Sequence, residues 1–398
     1  MGELIEVETA WERIDHCLAE IVTESVEVDV QRAVSMVLAS PVNSDVDVPP
    51  YRKALMDGYA VHADDVEPGR ALPVVDRIYA GDLPSTPLQR GTAVRIMTGA
   101  PLPQHADAVI PVEQTDGGEA MVTFSGAVAA GANLMDTGYC IARGETILPA
   151  GRTIQAHQVG LLCEVGASQV RVVRPPRVAV LATGDELVSP TELPGPGRIR
   201  NTNAPLLAAL AERDGAHATQ LGVASDQAEE LGARIQRGLQ HNVLILSGGV
   251  SAGERDLVPS ALEAAGVQQV FHGVRLKPGK PVWFGWRGGS HATLVFGLPG
   301  NPMSSLVCYE LFVRRAVDRL CGQGVVDRWE ERIVAEDFAY RGSRRTFHPA
   351  RLVGPDQVQL LPWKGSVDQR VLTQTDALVD LTEGSGVAEG AVVRVYRF

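Results

Sequence analysis

Between residues 177 and 321 one pattern recurs: a short apolar segment, a glycine-bearing turn, then a stretch with apolar residues every three or four positions. Segments 178–181, 218–223, 243–246, 269–276, 282–286 and 293–297 read as strands. Segments 204–214, 227–239, 256–265 and 303–320 read as helices. Unbroken apolar runs suit strands covered on both faces, and strands alternating with helices predict a doubly wound, mostly parallel α/β sheet. In the last helix Leu306, Val313, Val317 and Leu320 share one side, Asn301 is a natural N-cap, and Pro302 suits the first helical position.

The flanking pattern differs. Residues 9–22 predict an amphipathic helix, with Thr9 and Glu12 as a capping box and Trp11, Ile14, Leu18 and Ile21 on one face. A second short helix is expected at 32–40, stopped by Pro41, and the prolines at 49–50 keep 45–50 extended. Short β-prone runs at 74–78, 93–97, 108–112 and 121–124 alternate with Gly, Pro and Asp turns, the pattern of an all-β insert. A helix is expected near 155–163, and residues 329–398 turn β again. The expected class is α/β plus β in four parts. These are a mixed part (1–48 with 141–175), the insert (49–140), the α/β domain (176–326) and a β-barrel-like domain (327–398).

Composition narrows the function. The 398 residues are 45% hydrophobic and carry a net charge of -12, which argues against a nucleic-acid surface. The cysteines Cys17, Cys140, Cys163, Cys308 and Cys321 form no CxxC pair, as expected of a protein in a reducing cytoplasm. No signal peptide, myristoylation site or membrane span is expected from the sequence.

Three glycine-rich turns carry the candidate chemistry: ATGDEL (182–187), LSGGVSAGERD (246–256) and GLPGNPMSS (297–305). Each follows a predicted strand and precedes a helix, where ligands of doubly wound sheets bind. Three in one stretch suggest a single site for an anionic, phosphate-bearing small molecule. The second is neither a Walker A motif nor a Rossmann fingerprint. Gly184, Asp185 and Glu186 read either as nucleotide or cation contacts or as a solvated, capped loop. Asp226 reads as a helix N-cap or, beside Glu186 and Asp256, as a cation ligand. Ser247, Gly248, Gly249, Ser251 and Gly253 could cradle phosphate. Lys277 and Lys280 flank a Pro-Gly turn that suits an oxyanion or is a plain surface hairpin. In the insert, Asp57 precedes Gly58 in a hairpin signal, and Thr98 precedes a Pro-rich turn.

Together, MDGYAV, RIMTGAPLP, ATGDEL, GRIRNTNAPLL, SGGVSAGERD, LKPGKP and GLPGNPMS, in this order, resemble the molybdopterin molybdenumtransferase family, which includes the E domain of gephyrin. The resemblance covers nearly the whole chain. It implies an elongated, four-part subunit that forms a homodimer with its active site at the dimer interface. It implies insertion of molybdenum from molybdate into adenylylated molybdopterin, with Mg²⁺ assisting and AMP released. It also implies docking with the adenylyltransferase that makes that substrate. On this resemblance Glu186, Asp226 and Asp256 would hold Mg²⁺, Gly248, Gly249 and Ser251 would bind phosphate through N–H and hydroxyl groups, and Lys277 and Lys280 would add positive charge. Pro299, Asn301, Pro302 and Ser304 would shape an oxyanion pocket with Ser366 nearby, and Asp57 and Thr98 would come from the insert.

The family pattern is broken at Arg52 and Ala54 ahead of MDGYAV, at Cys140, and at Gly273. Those departures motivate an alternative: a carrier or docking protein that binds molybdopterin or nucleotide without efficient insertion.

Overall fold

The computed structural model describes residues 4–225, 227–250, 257–289, 291–324, 326–382 and 384–398, the side chains of Arg341 and Ser385 excepted. The chain forms two compact units: Met1–Val26 with Ser35–Ala39 and Val172–Phe398, and Glu27–Val34 with Ser40–Arg171.

The larger unit is built on a six-stranded sheet in the order His217–Ala224, Arg177–Thr183, Val243–Ser247, Thr293–Leu298, Trp283–Arg287, Gln268–His272. The first four strands run parallel, and Trp283–Arg287 is antiparallel to both its neighbours. The apolar runs follow from two-sided burial. Val178, Val180 and Ala182 enter one core with helices Val7–Ala19, Asn203–Arg213 and Pro302–Cys308, whereas Ala179 and Leu181 enter another with Ala228–Gly238 and Val258–Ala264. Phe271, Phe284 and Phe296 stack across the antiparallel edge, with centroids 5.3 and 4.8 Å apart.

Two local expectations fail. The helix expected at 32–40 is absent, apart from a 3₁₀ turn at Val30–Arg32. Ser35 has φ +71, the Val37 carbonyl accepts from Val173 N–H at 2.8 Å, and Leu38 bridges Val172, so pairing overrides local propensity. The first helix starts at Val7, behind an N-cap Glu6 whose side chain makes no cap bond, so Thr9 and Glu12 form no capping box. The helix expected at 303–320 widens into a π-helical segment at Tyr309–Val313.

Residues beyond 328 form the expected β-barrel, a closed one of strands Trp329–Val334, Gln357–Leu360, Thr346–Val353, Ala377–Leu381 and Val392–Arg397. His348 is buried there, with Nε2 2.8 Å from the Leu361 carbonyl and the rings of Phe338 and Trp363 against it. Burial holds its pKa below the ordinary 6.5, and nearby Lys277 acts in the same direction. The fold therefore refuses a proton that the unfolded chain accepts, and stability should fall as pH drops below about 6.5. Thermal melts from pH 7.5 to 5 should show that decline, and it should be shallower in His348→Gln. Equal slopes would remove His348 as the cause.

In the smaller unit a five-stranded sheet runs Ala108–Pro111, Gly58–Val61, Ala93–Ile96, Ala71–Ile78, Met121–Thr123. Tyr59, Val61 and Phe124 fill one core and Ile78, Val94 and Ile96 the other. Among the described residues, no helix is long and apolar enough to cross a membrane.

Candidate active site

Strands Arg177–Thr183 and Val243–Ser247 end side by side, with Ala182 opposite Ser247. The turns beyond them use conformations that favour glycine, with φ of +136 at Gly184, +93 at Gly248 and +65 at Gly249. They also nest too closely for side chains. A Cβ on Gly248 would stand 2.6 Å from the Thr183 carbonyl oxygen, one on Gly249 2.8 Å from Thr183 Oγ1, and one on Gly184 2.5 Å from Glu186 Oε2. The Gly248 N–H donates to the Leu298 carbonyl at 3.1 Å. That amide is committed to the sheet, which corrects the expectation that it contacts phosphate; Gly248 instead contributes close backbone approach.

Above these ends lies a cleft of about 690 Å³. Of the residues singled out in the sequence, Glu186, Ser247, Gly248, Asn301 and Pro302 line it. Thr183, Arg198, Arg200, Asn203, Val367 and Gln369 line it as well, and no individual signal marked them. The string GRIRNTNAPLL did contain three of them.

That string forms one wall. Leu187–Val188 pairs with Ile199–Arg200, and the Ile199 N–H donates to the Glu186 carbonyl at 2.8 Å. This pairing stitches the Pro- and Gly-rich excursion 189–198 to the sheet and carries Arg198 and Arg200 to the cleft. Asn201 Oδ1 accepts from the Ala204 N–H at 3.1 Å and caps helix Asn203–Arg213. At the start of that helix, Asn203 donates through Nδ2 to Ser247 Oγ at 2.8 Å and to the Gly300 carbonyl at 2.7 Å, linking the second and third turns.

The third turn extends the site toward the barrel region. Asn301 Nδ2 donates to Ser366 Oγ at 3.0 Å, and the Met303 N–H donates to the Ser366 carbonyl at 3.1 Å. The Pro299 carbonyl accepts from Ser305 Oγ at 2.6 Å, and Ser304 is buried. Lys277 and Lys280 are half-buried and do not line the cleft. The Lys277 ammonium lies 5.9 Å from the centroid of the Tyr340 ring. Asp185 lies in the first turn, next to Glu186. Asp226, Ser251, Gly253 and Asp256 lie outside the described residues. Among the described residues, no group of three or more His, Cys, Asp or Glu is placed to hold a metal ion. Of the three expected Mg²⁺ ligands only Glu186 is described; its exposed carboxylate lines the cleft and is the oxygen donor a hard divalent cation takes.

In the smaller unit the structure brings Asp57 and Thr98 together. Gly58 pairs with Ile96, and Asp57 Oδ1 accepts from both the N–H and the Oγ1 of Thr98, each at 2.7 Å. Those two hydrogen bonds, aided by Arg95, hold the Asp57 carboxyl below its ordinary range. Arg52 pairs with Asp136 at 3.0 Å, so one departure from the family pattern is tied down within this unit.

Residues 5–166 match a family model described as the MoeA N-terminal region (domain I and II). Residues 179–319 match one described as a probable molybdopterin binding domain. The chain is similar to the molybdopterin molybdenumtransferase of Staphylococcus epidermidis, 32% identical over 80% of this chain and 76% of the relative. It is similar to that of Nostoc sp., 34% identical over 80% and 75%. It is also similar to molybdopterin molybdenumtransferase 2 of Mycobacterium tuberculosis, 36% identical over 73% of each. Among solved structures, the molybdopterin biosynthesis MoeA protein of Pyrococcus horikoshii superposes with a TM-score of 0.86 at 30% identity, covering 99% of both chains.

Proposed function

Because the chain belongs to the molybdopterin molybdenumtransferase family, we propose that it inserts molybdenum from molybdate into adenylylated molybdopterin, with release of AMP. The observation that carries this reading is the cleft at the carboxyl ends of the parallel strands. Its glycine turns admit close backbone approach, its floor is built of buried hydroxyl and amide groups, and two arginines stand on one wall. Such a cleft suits a flat polar ring carrying phosphates.

Within it, Asn203 and Ser247 orient the ligand, and Arg198 and Arg200 offer charge-assisted hydrogen bonds to phosphate. Glu186, with Asp226 and Asp256, would hold Mg²⁺, which when bound offsets charge growing on the phosphate oxygens. Gly184, Asp185, Gly249, Ser251, Gly253, Pro299, Pro302, Ser304 and Ser366 remain proposed substrate contacts or supports. Lys277, Lys280, Asp57 and Thr98 remain proposed catalytic groups. The four-part division, the homodimer, cytoplasmic residence and docking with an adenylyltransferase belong to the same proposal.

Purified protein given adenylylated molybdopterin and Mg²⁺ should release AMP faster when molybdate is added, as read by chromatography of the nucleotide. Equal release with and without molybdate would overturn the insertion role and leave the carrier alternative standing.

A further inference from the structure

Two buried polar atoms of residues that line the cleft have no partner among the described residues. Thr183 is 5% exposed and Asn203 7%, yet neither Thr183 Oγ1 nor Asn203 Oδ1 makes a hydrogen bond. Buried polar groups are nearly always paired, and each orphan costs about 1–3 kcal/mol. Both residues line one cleft, so the two atoms call for a ligand's polar edge.

The sense of that edge is fixed by neighbouring geometry. The Gly300 carbonyl can only accept, so the Asn203 atom 2.7 Å from it is the amide nitrogen. Its oxygen is therefore the orphan, and it needs a donor. Phosphate and molybdate oxygens are acceptors at neutral pH and cannot satisfy it. Glu186 adds another acceptor to the same cleft, whereas the cationic groups, Arg198 and Arg200, stand on the 187–203 wall. Asn203 Oδ1 can only accept, the Thr183 hydroxyl can accept as well as donate, and the arginines supply the charged donors.

We infer that Thr183 Oγ1 and Asn203 Oδ1 are specificity-determining contacts that read the amino-bearing edge of a heterocycle, with the ligand's phosphates turned toward Arg198 and Arg200. This rests on the proposed function and orients its substrate. Adenine and the pterin ring both carry such an amino edge, so the two sources must be separated by experiment. A site built to satisfy a donor rejects an analogue lacking it far more strongly than an apolar pocket would.

Calorimetry on the full chain provides the test. One arm compares AMP with purine riboside 5′-monophosphate; the other compares pterin with the same ring lacking its amino group. The wild type should prefer the amino-bearing probe about tenfold in one arm, which identifies the ring held at this floor. Thr183→Val removes only an unpaired hydroxyl, so it should erase most of that preference without lowering Tm. Asn203→Ala should erase it too, but with some loss of Tm, since Ser247 and Gly300 lose their donor. Thr183→Val decides alone should Asn203→Ala fail to fold. A preference that survives Thr183→Val, or no preference in the wild type, overturns the inference. Preference without molybdate-dependent AMP release would instead sink the transferase reading and leave the inference standing.

Discussion

Gly248→Ala is expected to abolish molybdate-dependent AMP release and to destabilise the larger unit by about 2–4 kcal/mol. Two penalties combine. At φ +93 an alanine is strained, and its Cβ would stand 2.6 Å from the Thr183 carbonyl oxygen, a backbone atom of an interior strand that cannot rotate away. Relief requires moving the turn, which breaks the Gly248 N–H bond to Leu298 and opens the cleft floor. Gly266→Ala is the control. Gly266 has φ +79 but nothing within 4 Å of a Cβ, so that variant should lose only about 1 kcal/mol and keep full activity. Denaturant midpoints and AMP release on both variants separate strain from collision. Equal losses would mean that the close approach does not matter.

Glu310→Ala should cost about 3–5 kcal/mol, the largest stability loss expected of any single change here. Glu310 is 2% exposed in the π-helical segment, with Arg213 2.8 Å away and Arg314 2.7 Å away. Asp214, also buried, takes Arg213 at 2.9 Å, Arg314 at 3.2 Å and the Tyr309 hydroxyl at 3.0 Å. Its acidic partners raise the pKa of Arg213, so the guanidinium stays charged if Glu310 is lost. The buried Arg314 and the partly exposed Arg213 would then share one carboxylate. The Glu310 carbonyl also accepts from Tyr396 Oη at 2.8 Å, so the disturbance should spread to the barrel strand Val392–Arg397. Glu310→Gln should lose less than Ala, because its oxygen still accepts from one arginine. A loss below about 1 kcal/mol in Glu310→Ala would show that charge pairing holds nothing together here.

Much of this was legible in the residues, and the reason differs by element. The strands of the α/β sheet were readable because burial on both faces demands unbroken apolar runs, as at Val178–Leu181 and 243–246. The glycine turns were readable because few residues other than glycine accept positive φ. Helix 32–40 was misread because its apolar residues serve edge pairing near Val172, which local periodicity does not encode. The π-helical widening was equally invisible: Glu310, Arg314 and Asp214 look like ordinary polar positions until the fold buries them together.

The family, the alternation of strands and helices, and the places where backbone must approach closely are all legible in the residues alone. Each of these is set by residue type and spacing along the chain. Which of the marked residues share a cleft follows from the folded arrangement. It committed the Gly248 N–H to Leu298, set Lys277 and Lys280 apart from the cleft, and brought Arg198, Arg200 and Asn203 into it. It also left Thr183 Oγ1 and Asn203 Oδ1 without partners among the described residues. Hydrogen-bond satisfaction is a property of three-dimensional neighbours rather than of residue identity, so no motif could have announced it.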